Sequence, residues 1–281
     1  FPTLSDSMSI EEPISSGFES LNGLQKKWLD EALKQPAMSL LHGPPGTGKT
    51  TTLLAYVIEM VLRKQRILLT APSNAAVDLL VAGCAKRGVS VVRIGHPMRL
   101  SDEVQPFGLD AQVEDDSEYR QVRDLRKRAK KAWQVADRFH RNFGSEQRTE
   151  RASARKDAKS LEREAIELER FIAERIVRQA QVVCATLAGA ANTVVADERF
   201  DAVVIDEAGQ AMLPGALIPM QLSSRYVLAG DPHQLPPVIK SHRALAMGLE
   251  ESALACFMRS KFCTGCITTV SYTHLRAHET S

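Results

Sequence analysis

Gly43-Pro44-Pro45-Gly46-Thr47-Gly48-Lys49-Thr50 sets two glycines, a lysine and a hydroxyl at the spacing of a phosphate-binding loop. In such a loop the backbone N–H groups of residues 46–50 close around a phosphate, at the positive end of the helix that follows. Lys49 then bridges the β- and γ-phosphates, and the Thr50 hydroxyl is placed to ligate Mg2+. Further along, the apolar run Val203-Val204-Ile205 ends in Asp206-Glu207. An aspartate there can hold the same Mg2+, and the adjacent glutamate can polarise an attacking water as general base. Taken alone, that pair reads more simply as a capping or solvated pair; the phosphate loop in the same chain gives it a partner. Gly230-Asp231-Pro232-His233-Gln234-Leu235-Pro236-Pro237 would pass for a turn on composition. Beside the other two motifs, the amide of Gln234 can touch both the γ-phosphate and the water.

These residues need elements to position them. Ser39-Leu40-Leu41 predicts a short buried strand before the loop, and Leu53, Leu54, Val57, Ile58, Val61 and Leu62 recur at helical spacing behind it. A helix is predicted from Leu24 to Leu33, stopping before Pro36. Ile67-Leu68-Leu69, Val91-Val92-Arg93-Ile94, Val182-Val183-Cys184-Ala185 and Tyr226-Val227-Leu228-Ala229 read as further strands, with a helix near 75–85. Strands apolar on both faces and separated by helices indicate a parallel sheet covered on both sides. The fold class is therefore α/β, a P-loop parallel sheet with helices on both faces.

The net charge of +2 hides an asymmetry. Residues 118–178 hold 18 Lys/Arg against 11 Asp/Glu, a local charge of +7, while the remainder of the chain carries −5. A basic projection on a mildly acidic body suits a nucleic-acid partner, although a solvated helical face would carry the same charges. The segment also has its own period. Val122, Leu125, Ala129, Ala132, Ala136, Phe139 and Phe143 form one heptad-like stripe; Ala154, Ala158, Leu161, Ala165, Leu168 and Ile172 form another after a break at Gly144-Ser145. Two such stripes predict an antiparallel helical hairpin. No apolar run is long enough to span a membrane, Phe1-Pro2-Thr3-Leu4-Ser5-Asp6 lacks the basic start of a signal peptide, and five irregularly spaced cysteines argue against a disulfide framework. An intracellular, cytoplasmic setting is expected.

The motifs together resemble a family. Residues 43–50, Asp206-Glu207-Ala208-Gly209-Gln210 and residues 230–237 look like motifs I, II and III of superfamily 1 helicases. Thr70-Ala71-Pro72-Ser73-Asn74-Ala75-Ala76-Val77-Asp78 resembles motif Ia, and Leu21-Asn22-Gly23-Leu24-Gln25 the adenine-reading Q motif. Arg93-Ile94-Gly95-His96-Pro97 and Cys184-Ala185-Thr186 narrow the likeness to the branch of the nonsense-mediated-decay and immunoglobulin mu-binding protein helicases, especially bacterial relatives of the latter.

That resemblance implies two RecA-like domains, the first with a helical stalk inserted between motifs Ia and II, and ATP hydrolysis with Mg2+ coupled to 5′-to-3′ movement on single-stranded DNA or RNA. It implies that Gln25 reads adenine, that Gly43, Gly46, Thr47, Gly48, Lys49, Thr50, Asp206, Glu207 and Gln234 serve phosphates, metal and water, and that Pro72, Ser73, Asn74 and Thr186 meet the nucleic-acid backbone. Helix capping or turn bonding is the plainer alternative for Ser73, Asn74 and Thr186. The expected layout is a leader or the end of a missing segment over 1–20, an ATP-binding RecA-like domain over 21–100 and 180–255, and the stalk over 101–179.

Nothing after Pro237 resembles motifs IV to VI, so the second RecA-like domain is expected to be missing, and with it the arginine fingers, worth roughly 10³–10⁵ in rate. Such a fragment should bind nucleotide, hydrolyse it poorly and unwind nothing. Residues 256–269 are unassigned, and 270–281 resemble a translated sequencing adapter, a tail expected to lie outside the fold. Cys263-Thr264-Gly265-Cys266 lacks the second pair that a zinc site needs. Two other readings remain: a nucleotide- and nucleic-acid-binding fragment without turnover, or another P-loop ATPase with a coiled-coil insertion. The latter would need a Ser-Gly-Gly-type signature before the Asp-Glu pair, and none occurs.

Overall fold

The computed structural model describes residues 21–34, 37–137, 144–237, 239, 241–246, 249–259 and 267–269. Phe139, Phe143, Cys263, Cys266, the leader over 1–20 and the tail over 270–281 lie outside them. The chain divides into two compact units, one of residues 1–107 with 180–281 and one spanning Gly108–Gln179.

The first unit is built on seven parallel strands: β1 (Met38–His42), β2 (Ile67–Ala71), β3 (Val91–Ile94), β4 (Val182–Thr186), β5 (Ala202–Ile205), β6 (Tyr226–Gly230) and β7 (Ile267–Thr269). Their order is β3-β4-β2-β5-β6-β1-β7. Each of β2, β3 and β5 is buried at every residue, and β4 at all but its last, as a sheet covered on both faces requires. The register pairs His42 with Gly230, Thr70 with Ile205 and Ala71 with Thr186. The carboxyl ends of five strands thereby line up along one edge, where ligands of open α/β sheets are bound.

Helices α1 (Gly23–Lys34), α2 (Lys49–Leu62) and α3 (Asn74–Ala85) pack as a set beside the sheet. In α1 the buried residues Gln25, Trp28, Leu29 and Ala32 recur at helical spacing, giving one buried stripe that is apolar except for Gln25. In contrast, α2 is apolar almost all round, and Leu53, Tyr56, Val57 and Met60 are fully buried. A helix of that kind must be covered by neighbours. The Trp28 indole N–H donates to Leu40 O at 2.9 Å, and its ring meets Tyr56 at 6.1 Å between centroids, tilted by 59°. Trp28 therefore ties α1 to both β1 and α2.

The second unit holds α4 (Leu109–Asp115), α5 (Tyr119–Ala136) and α6 (Ser145–Gln179). Arg126 pairs with Glu169 at 2.5 Å, and Trp133 Nε1 donates to Glu162 at 2.7 Å. Sequence numbers rise along α5 as they fall along α6, so the two helices run antiparallel. Val122, Ala129 and Ala136 face Ala158, Ala165 and Ile172 as the buried layer, one residue per heptad on each helix. The alternate positions Leu125, Ala132, Ala154, Leu161 and Leu168 are only half-buried, since two helices alone cannot enclose both rows. Arg175 closes the base of this unit with bonds to Asp116 and Glu118, each 2.9 Å. Seven of the basic residues fall on α5 against one acidic residue, whereas α6 is almost balanced.

Shorter helices finish the first unit: α7 (Thr193–Ala196), α8 (Leu213–Met220), α9 (His242–Ala246) and α10 (Ala253–Arg259). Leu100 and Val104, just upstream of the second unit, belong to the core of the first. No described helix is long and apolar enough to cross a membrane.

Candidate functional site

The phosphate loop leaves β1 at His42 and enters α2 at Lys49. Gly46 and Gly48 have φ of 78° and 80°, where a β-carbon is strained. At Gly48 a β-carbon would also lie 2.7 Å from Gln25 Nε2. The start of α2 carries no side-chain cap, which leaves its first N–H groups for a ligand. Gly43 N donates to Gly230 O at 3.2 Å, and Thr47 Oγ1 to Pro44 O at 2.8 Å. Lys49 Nζ turns back onto its own loop, donating to Gly43 O at 2.5 Å and Pro44 O at 2.8 Å. Burial lowers its pKa, against the opposing pull of Asp206, Asp231 and Glu207.

Asp206 follows β5. Its Oδ2 accepts from Thr50 Oγ1 at 3.3 Å and its Oδ1 from Glu207 N at 2.9 Å, while its own N–H donates to Thr70 O at 2.8 Å. Burial raises its pKa. Glu207 is raised too, by burial and then by the neighbouring Asp206 charge. Its backbone is left-handed, with φ of 52°, an uncommon place for a residue with a side chain. After β6, Asp231 gathers its own motif. Its Oδ1 accepts from His233 N at 2.9 Å and lies 3.5 Å from His42 Nε2, and its Oδ2 accepts from Gln234 Nε2 at 3.4 Å. Burial pushes the Asp231 carboxyl up, but those donors outweigh it and hold it below the usual range.

The three loops enclose a cleft of about 200 Å³ lined by Gly46, Lys49, Thr50, Asp206, Glu207 and Gln234. The motif II and III turns interlock through glycine. A β-carbon on Gly209 would stand 2.3 Å from Asp231 O, a backbone atom that cannot swing aside. Gly209→Ala should therefore cost about 1–3 kcal/mol through overpacking and backbone shift. Urea unfolding reads this directly, and an unchanged midpoint would show that the two turns move apart freely.

Gln25 is buried at the back of the loop rather than open in the cleft. Its Nε2 donates to Thr47 O at 3.0 Å and its Oε1 accepts from Asn22 N at 2.8 Å. Pro72, Ser73, Asn74 and Thr186 stand away from the cleft, at the carboxyl ends of β2 and β4. Ser73 caps α3 by accepting from Ala76 N at 3.1 Å, and Thr186 Oγ1 accepts from Gly189 N at 3.0 Å. Asn74 Oδ1 accepts from Arg93 Nη2 at 2.9 Å. Each of the three polar positions is thus engaged inside the fold, Ser73 and Thr186 in the cap and turn bonds their types suggest and Asn74 with a side chain. Sequence reasoning gave no role to Asp231, His42 or Arg93. A charged residue in the middle of the apolar run Val91-Val92-Arg93-Ile94 was the available signal for the last.

The fold and the site define a P-loop ATP-binding domain of RecA-like type. Residues 20–242 match a family model described as "AAA domain". The chain is 36% identical over 259 residues to the DNA-binding protein SMUBP-2 of Mus musculus, covering 90% of this chain and 25% of that protein. It is 34% identical over 225 residues to the DNA polymerase alpha-associated DNA helicase A of Schizosaccharomyces pombe, covering 80% and 33% respectively. A regulator of nonsense transcripts 1 homolog from Arabidopsis thaliana is 37% identical over 242 residues, covering 84% and 18%. The chain belongs to the superfamily 1 helicases, in the branch of the nonsense-mediated-decay and immunoglobulin mu-binding protein helicases, and carries the first RecA-like domain. It spans a third or less of the length of these three relatives.

Proposed function

We propose that the chain is the N-terminal motor half of an ATP-dependent 5′-to-3′ DNA/RNA helicase, binding Mg-ATP and single-stranded nucleic acid inside the cell. The observation that carries this reading is the convergence of Lys49, Thr50, Asp206, Glu207 and Gln234 on one cleft at the carboxyl edge of the sheet. The Thr50 hydroxyl and the Asp206 carboxylate are hard oxygen donors 3.3 Å apart, a pair that fits Mg2+. When bound, the ion would neutralise charge between the β- and γ-phosphates. Lys49 exchanges its two loop carbonyls for phosphate oxygens. Glu207, whose raised pKa moves it towards the working range of a general base, takes the proton of the attacking water. Gln234 leaves Asp231 for the γ-phosphate, and Gln25 reads adenine by exchanging its bond to Thr47. Asp206 N bonds to Thr70 O, one residue from the β2 end that leads into Pro72 and Ser73, a direct backbone link between the two sites.

Strand separation in this family uses two RecA-like domains, and this chain supplies one, so on its own it should bind both ligands and unwind nothing. Titration with a fluorescent ATP analogue in Mg2+ tests the central claim. Wild type and Glu207→Gln should saturate with affinities within about twofold of each other, because that residue acts on water rather than phosphate. Absence of saturable nucleotide binding by the wild type would overturn the reading.

A further inference from the structure

We infer that Arg93 is a positioning residue that fixes the Asn74 amide with its NH2 group outward, so that Asn74 meets a hydrogen-bond acceptor, a phosphate oxygen of the nucleic-acid backbone. The inference rests on the nucleic-acid reading above and adds the chemistry of that contact.

Arg93 lies on the edge strand β3, yet its side chain is fully buried. A guanidinium carries five donors and no acceptor. Nε donates to Asp78 Oδ1 at 3.0 Å, Nη1 to Ile94 O at 2.5 Å and Nη2 to Asn74 Oδ1 at 2.9 Å. Asp78 is occupied on its other oxygen by Ser101 N at 2.9 Å, so both carboxylate oxygens of the buried charge pair are engaged. The two ends of an asparagine amide are ordinarily interchangeable in a structure. Here they are not, because only the oxygen can accept from arginine. Nδ2 must therefore occupy the other corner of the planar group, and among the described residues nothing accepts from it. The half-exposed Asn74 opens α3 at the carboxyl end of β2, beside Thr186 on β4.

A group that can only donate selects an acceptor. The neighbouring positions, 71–75 and 185–187, hold small and aliphatic residues and no aromatic ring on which a base could stack. The contact is therefore with the phosphate backbone, which every sequence shares.

Asn74→Asp in the 281-residue chain separates the possibilities. The carboxylate keeps, and strengthens, the bond to Arg93, but it turns an acceptor and a negative charge outward. Its thermal midpoint should not fall below wild type, and its affinity for the fluorescent Mg-nucleotide should stay within about twofold. Affinity for single-stranded oligonucleotides should drop about tenfold or more, equally for dA, dC and dT homopolymers, as expected for a lost charge-assisted bond plus repulsion. Arg93→Lys should weaken oligonucleotide binding in the wild type but add nothing in an Asn74→Ala background, the non-additivity of two residues acting through one contact. A purely structural Arg93 would lower both backgrounds alike and so overturn the positioning role. A loss confined to one homopolymer would overturn the phosphate assignment. Wild-type binding with Asn74→Asp unchanged overturns the donor assignment alone, whereas a wild-type chain that binds no oligonucleotide overturns the nucleic-acid reading itself.

Discussion

Lys49→Ala should lower affinity for Mg-ATP about 100-fold, since hydrogen bonds to charged groups contribute roughly 1.5–3 kcal/mol each and the ammonium makes more than one. The protein should otherwise fold as before. Lys49 Nζ bonds to Gly43 O and Pro44 O, both carbonyls of the phosphate loop itself, the first on a buried and the second on a half-exposed residue. Removing the side chain therefore leaves the sheet, α2 and the glycine turns untouched. Fluorescent-nucleotide titration, with thermal unfolding as the control for folding, measures both halves of the expectation. Equal affinity in the two proteins would mean that the cleft does not hold phosphate through this loop. A lower midpoint would mean that the lysine serves the fold instead.

Trp28→Ala should have the largest effect on stability, about 3–5 kcal/mol, the range for removing a large buried aromatic side chain. Trp28 is fully buried and touches Tyr56, and it also satisfies Leu40 O in the middle of β1. Cavity and lost hydrogen bond act together here, and Trp28→Phe separates them. Phenylalanine restores most of the packing but none of the bond, so it should recover most of the loss and leave a deficit of about 1 kcal/mol. Urea unfolding midpoints of the three proteins decide it. If Trp28→Phe were as unstable as Trp28→Ala, the bond to the Leu40 carbonyl, and not the volume of the ring, would account for most of the stability that Trp28 contributes.

Periodicity made the sheet legible wherever its strands were apolar on both faces. Residues 39–41, 67–69, 91–94, 182–185, 203–205 and 226–229 all fall within strands, because such runs admit few other homes in a chain interspersed with helices. The heptad stripes likewise showed the helices of the second unit, but not that half of their rows would stay open, since a pattern records period and not the number of partners. Short elements escaped. The 8 residues of α8 carry too little helical period to be read, and Pro214 and Gly215 fall in its first turn. Within the site, residue types and spacing pointed to the groups that converge on the cleft. The internal bonds were invisible, because they join residues distant in sequence: Gln25 to Thr47, Arg93 to Asn74 and Asp78, His42 to Asp231. Each is a polar contact that only the folded arrangement of strands and helices brings about.

The left-handed backbone at Glu207 bears on how variants of this chain would sort under selection. A side chain at φ of 52° costs the folded state roughly 1–2 kcal/mol, and glycine would relieve it. Asparagine and aspartate tolerate the same region better than glutamate does. A library screened for heat resistance alone would therefore drift at position 207 towards residues that cannot do the proposed chemistry. A glutamate retained there, against the preference of its own backbone, is what a screen for turnover would keep.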